Sequence, residues 1–87
     1  MREEIELFLS QFNIEKIETV FLADGLDEAF IGLDTTGELP VAIYSIEKTV
    51  QIFSRQMSEE EALEYFHFNV EGASVGPQTP RFIHTPA

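Results

Sequence analysis

The chain predicts an α+β domain: a small antiparallel sheet of three to four strands with helices on one face, in the order α-β-β-β-α-α-(β). Three observations carry that expectation. Apolar residues recur at three- and four-residue steps near the start of the chain and again after residue 45. Between those stretches the period changes to two, and clusters of Asp, Gly and Thr interrupt the alternation. Helical and strand patterns are therefore segregated, which favours α+β over an alternating α/β layout.

The first helix spans residues 2–12, with Ile5, Phe8, Leu9 and Phe12 on one stripe. Glu3, Glu4 and Glu6 suit its positive N-terminal end, and Asn13 is an acceptable stop. From Ile17 the alternation Ile17, Thr19, Phe21, Ala23 against Glu18, Val20, Leu22 predicts a strand over 17–23. Asp24-Gly25-Leu26-Asp27 reads as a turn, because Gly25 accepts positive φ and aspartates bond nearby backbone. A second strand is expected over 28–33, a turn over 34–38, and a third strand over 39–44. Pro40 suits the beginning of that strand or a sheet edge. These three strands form an antiparallel meander in this reading.

Ser45 caps a second helix bearing Ile46, Val50 and Phe53 on one face. Ser58-Glu59-Glu60-Glu61 has capping-box spacing, with Met57 and Ala62 at the staple positions. A third helix over 59–70 then buries Ala62, Leu63, Phe66 and Val70, with Gly72 just past its end. Beyond it, Gly76-Pro77 marks a turn and Arg81-Phe82-Ile83 a short final strand; residues 84–87 read as a loose tail.

At 87 residues the chain holds one domain. Five Lys+Arg against sixteen Asp+Glu give a formal charge of −11, while eight Phe and two Tyr exclude a disordered acidic tail. Without cysteine there is no disulfide framework, thiolate metal site or cysteine nucleophile. The N-terminus lacks a signal-peptide core and no apolar run approaches a membrane span, so a cytoplasmic location and no membrane partner are expected. Direct nucleic-acid binding is disfavoured, since sixteen carboxylates repel a phosphate chain.

Two stretches carry a resemblance. They are Asp24-Gly25-Leu26-Asp27-Glu28-Ala29-Phe30-Ile31-Gly32 and Glu60-Glu61-Ala62-Leu63-Glu64-Tyr65-Phe66 with its continuation Asn69-Val70-Glu71-Gly72-Ala73-Ser74-Val75-Gly76-Pro77-Gln78-Thr79-Pro80. The region 21–82 resembles a group of short proteins encoded by phages, prophages and plasmids. That resemblance implies a genomic setting in which small proteins act on host defence or replication; it supplies no activity and no catalytic residues.

Several clusters invite a chemical reading. Asp24, Asp27 and Glu28 gather three carboxylates at one turn, but the spacing fails the EF-hand pattern and ordinary turn chemistry explains them. Glu64 and His67 form Glu-x-x-His, yet bundle metal sites need a second such pair that this chain lacks. No metal or other cofactor is therefore expected. No nucleophile elbow or phosphate-binding glycine loop occurs, so a non-enzyme is expected. Residues 69–80 are read first as a crossover returning to the sheet, and second as a binding loop.

The charge itself is the strongest functional signal. A net charge of magnitude ~2–8 already suffices for solubility in a small domain, so the excess favours a basic partner. The candidate contact residues are Asp24, Asp27, Glu28, Asp34 and Glu38 at the hairpin ends, with Glu59, Glu60, Glu64 and Glu71 on the third helix. The leading expectation is a non-catalytic phage-type protein that binds and inhibits a basic host protein, by nucleic-acid mimicry or steric block. The alternative is a homo-oligomer, such as a homodimer, holding a signalling nucleotide at a subunit interface through Lys48, Arg55 and Arg81. A third reading has an exposed sheet edge pairing with a partner strand.

Overall fold

A computed structural model describes residues 1–71 and 73–86, except for the side chain of Glu71. The order is α1 (Arg2–Ser10), β1 (Phe30–Asp34), β2 (Val41–Ser45), α2 (Ile46–Phe53), α3 (Glu59–Phe66) and β3 (Arg81–Ile83), with short 3₁₀ turns at Ile17–Thr19 and Asp27–Ala29. The fold is α+β, as the sequence predicts, but the sheet is mixed. β2 lies in the centre, antiparallel to β1 and parallel to β3.

The expected strand over 17–23 does not form. Lys16 adopts a left-handed conformation (φ 67°), which starts the 3₁₀ turn Ile17–Thr19, and the chain then runs to residue 23 without joining the sheet. Side chains supply the backbone partners that a ladder would have given. Gln78 Nε2 donates to the Lys16 carbonyl at 2.9 Å, and Tyr44 Oη accepts from the Ala23 amide at 2.9 Å. Val20, Leu22 and Ala23 still lie against the core, while Thr19 and Phe21 are exposed, so residues from both expected strand faces pack inward. The expected meander loses its first strand and gains β3 on the far side of β2.

Local signals elsewhere are realised. Asp34 Oδ1 accepts from the Thr36 amide at 2.9 Å and its hydroxyl at 2.6 Å, turning β1 into β2. Ser45 Oγ accepts from the Lys48 amide at 3.1 Å and starts α2. Ser58 Oγ accepts from the Glu61 amide at 3.2 Å while the Ser58 amide donates to Glu61 Oε1 at 3.3 Å, completing the capping box of α3. Past Phe66 the helix widens into a π-helical turn, His67–Glu71. Gly72, expected just past this end, lies outside the described residues.

One sheet face carries the core. Phe30, Tyr44 and Phe82 project to the same side, with Tyr44–Phe82 stacked at 5.4 Å and Phe30–Tyr44 edge-on at 5.7 Å. All three helices cover this face: Phe8 of α1 meets Phe30, Ile52 and Phe53 of α2 lie against the cluster, and Phe66 of α3 meets Phe82. Leu26, Ala29, Ala42 and Tyr44 are the buried centre. Ile31, Ile43 and Ile83 border a shallow hollow on the sheet together with Arg81.

Residues 84 and 85 make contacts with the start of α2. His84 Nδ1 lies 2.7 Å from Glu47 Oε2, the Thr85 amide donates to Glu47 Oε1 at 2.7 Å, and the Ser45 and Thr85 hydroxyls share a 2.6 Å hydrogen bond. The sequence offered no periodicity there, and a tie spanning some forty residues leaves no local signal. Ala87 lies outside the described residues.

Candidate functional site

The carboxylates singled out by the sequence separate into two groups once the arginines are placed. Arg2 Nε donates to both Asp27 oxygens at 3.1 Å and Nη2 donates to Oδ1 at 2.8 Å. Arg55 forms a two-pronged contact with Glu28, at 2.9 and 2.8 Å. Arg81 Nη1 donates to Asp34 Oδ2 at 3.0 Å. These three are all the arginines of the chain. Asp27, Glu28 and Asp34 are therefore internally neutralised.

The protonation energetics follow the contacts. The Arg2 hydrogen bonds hold the Asp27 carboxyl below the usual carboxylate range, and Arg55 does the same for Glu28. Asp34 is also lowered, chiefly by the two Thr36 donors and only secondarily by Arg81. The deepest shift lies outside the expected set: Glu47 is pulled down to about 2 by His84 and the Thr85 amide.

Asp24, Glu38, Glu59, Glu60 and Glu64 remain exposed without a close arginine fork. Asp24 approaches Arg2 Nη2 only at 3.6 Å. They do not form one array. Glu38 lies in the β1–β2 loop, Glu59 borders a hollow between α2 and His84, and Glu64 borders one beside Tyr65 and Phe68. The Glu71 side chain lies outside the described residues. Asp24 and Asp27 both approach Arg2, whereas Glu28 is held by Arg55. Among the described residues no group of three His, Cys, Asp or Glu is placed to hold a metal ion. No described helix is long and apolar enough to cross a membrane.

Two of the three cations of the nucleotide alternative, Arg55 and Arg81, are engaged in the same contacts, while Lys48 is not. Arg55 holds Glu28 through both Nη atoms and Arg81 holds Asp34 through Nη1, so a phosphate there competes with a carboxylate at each.

A cleft of about 330 Å³ opens where the 24–26 turn meets the segment after α3. Its walls are aromatic and aliphatic: Phe21, Leu26, Phe53, Tyr65, Val75 and Phe82. Gly25, at φ 80°, makes the turn that carries Asp24 to the rim. Phe53 and Tyr65 meet edge-on at 4.9 Å within this wall. The sequence marks residues 69–80 but carries no trace of the cleft, whose walls come from separated segments.

Within that loop, Gln78 is architectural. Its Nε2 donates to the carbonyls of Lys16 and Pro40, and its Oε1 accepts from the Thr19 hydroxyl at 2.6 Å. Thr79 Oγ1 donates to the Gly76 carbonyl and accepts from the Val75 amide, closing a small turn. The crossover reading of 69–80 is thus realised by Gln78 and Thr79, while Asn69 and Val75 face the cleft.

No protein-family model matches this chain, and no curated protein or solved structure matches it either.

Proposed function

We propose that this chain is a small, acidic, non-catalytic interaction protein that binds and blocks a basic protein, such as a nucleic-acid-binding defence effector in the cytoplasm of a phage or plasmid host. The observation that carries this reading is the internal engagement of all three arginines. Only Lys16 and Lys48 remain among the side chains of fixed positive charge, against a large carboxylate excess. A phosphate ligand or an acidic partner meets arginines that already hold carboxylates, whereas a cationic surface meets Glu38, Glu59, Glu60 and Glu64 directly. Because these carboxylates lie in separate places, steric obstruction of a basic surface fits better than imitation of a regular phosphate ladder.

The test starts from a host protein captured on the intact chain, followed by purified binding across a rising salt series. Replacing Glu60 and Glu64 together by Lys weakens the association by about tenfold and flattens its salt dependence, because desolvated charge pairs control both encounter and retention. Binding that ignores both the double replacement and the ionic strength overturns the reading.

A further inference from the structure

The cleft does not end at Tyr65. Tyr65 and Asn69 also border an adjoining shallow hollow whose other walls are Met57, Glu61, Glu64 and Phe68. The exposed hydrophobics gathered here are Phe21, Tyr65, Val75 and Phe68, the last 82% exposed on the π-helical turn. Singly exposed apolar residues are ordinary; several bordering two joined hollows mark an interaction surface.

The charged residues that line this surface are acidic, although Arg2 stands 3.6 Å from Asp24. Asp24 is the charged residue of the cleft wall, and Glu61 and Glu64 are those of the adjoining hollow. Neither wall contains a lysine or arginine among the described residues. An apolar centre lined by carboxylates disfavours an anionic metabolite and complements a segment whose apolar side chain is flanked by cations. The volume of about 330 Å³ is at the lower end for small-molecule pockets, room for one or two side chains.

We propose that the cleft and its neighbouring hollow receive a cationic amphipathic segment of the basic partner. An aliphatic or aromatic side chain enters between Phe21, Tyr65 and Val75, and lysine or arginine side chains rest against Asp24, Glu61 and Glu64. This rests on the reading of the chain as an acidic binder and names where that binder makes contact.

The experiment titrates the full-length, isotope-labelled chain with a synthetic peptide carrying Leu at helical spacing among Lys residues. An oligolysine of equal length and charge is the control. The amphipathic peptide binds at least about tenfold more tightly than oligolysine, a difference of about 1.4 kcal/mol, and shifts the resonances of Phe21, Tyr65, Phe68 and Val75. Phe68→Ser and Val75→Asn, at exposed positions, each remove that advantage and leave oligolysine binding unchanged. Val75→Asn keeps the test sound should Phe68→Ser disturb the π-helical turn, and circular dichroism checks both variants. Equal affinity for the two peptides, with shifts spread over all the carboxylates, overturns the cleft assignment while the acidic-binder reading stands. Absence of binding by either peptide at low salt overturns both.

Discussion

Replacing Tyr44 by Phe isolates one hydrogen bond that takes the place of a missing strand. The Tyr44 ring is fully buried, stacked on Phe82 and edge-on to Phe30, and its hydroxyl accepts the Ala23 amide at 2.9 Å. Phe keeps the ring contacts and removes only the acceptor, leaving a partly buried N–H unsatisfied. That costs about 1–2 kcal/mol, whereas Tyr44→Ala, which also opens a cavity, costs about 3–5 kcal/mol. With a urea slope of about 1 kcal/mol/M for a chain this short, the unfolding midpoint falls by about 1–2 M for Tyr44→Phe, followed by circular dichroism. Hydrogen exchange at the Ala23 amide accelerates in step. Burial raises the Tyr44 phenol above its ordinary value of 10.0. The folded state therefore holds that proton more tightly, and the associated stability is complete below pH 10.0 and is lost as pH rises through the raised folded value. The Phe variant lacks this alkaline decline. An unchanged midpoint together with unchanged Ala23 protection would refute the reasoning, because it would mean that water serves the amide equally well.

Three further outcomes follow from the same contacts. Gln78→Ala removes two donated bonds and one accepted bond linking residues 16–19, Pro40 and the crossover; it lowers stability by about 1–2 kcal/mol, read from thermal or urea unfolding. Ser58→Ala abolishes the capping box of α3 and costs about 1 kcal/mol, visible as a lower midpoint with unchanged slope. Glu47, held at about 2 against an ordinary 4.5, contributes stability that is present above pH 4.5 and is lost as pH falls through about 2. Urea midpoints measured along a descending pH series show that acid limb shrinking in Glu47→Gln.

What the sequence revealed and what it concealed divide along the range of the interactions. Ser45 and Ser58 announced their helices because a cap hydroxyl and the amide that donates to it lie three residues apart. The Asp34 turn was legible for the same reason. The stretch 17–23 misled because its apolar content reports packing against the core, which Val20, Leu22 and Ala23 achieve without a neighbouring strand. The position of β3 was concealed because strand pairing is a choice among distant partners. One clue was present: Val41-Ala42-Ile43-Tyr44 is an unbroken apolar run, which belongs in the middle of a sheet with parallel character. The arginine pairs left no local trace, since Arg2–Asp27, Arg55–Glu28 and Arg81–Asp34 join residues 25, 27 and 47 positions apart. Counting charges therefore overstated how many of the nine chosen carboxylates stand ready for a partner.

The position of the strands gives the surplus anions a second duty. β1 and β3 end the sheet on either side, and Ile31 and Ile83 on those strands are well exposed. Open backbone rows beside branched aliphatics are the raw material of fibrils. Two copies of this chain meet as like-charged colloids, held apart over a range of about 8 Å at physiological ionic strength. Concentrated brine or mild acid dissolves that barrier, and the solution then turns cloudy from the sheet margins inward.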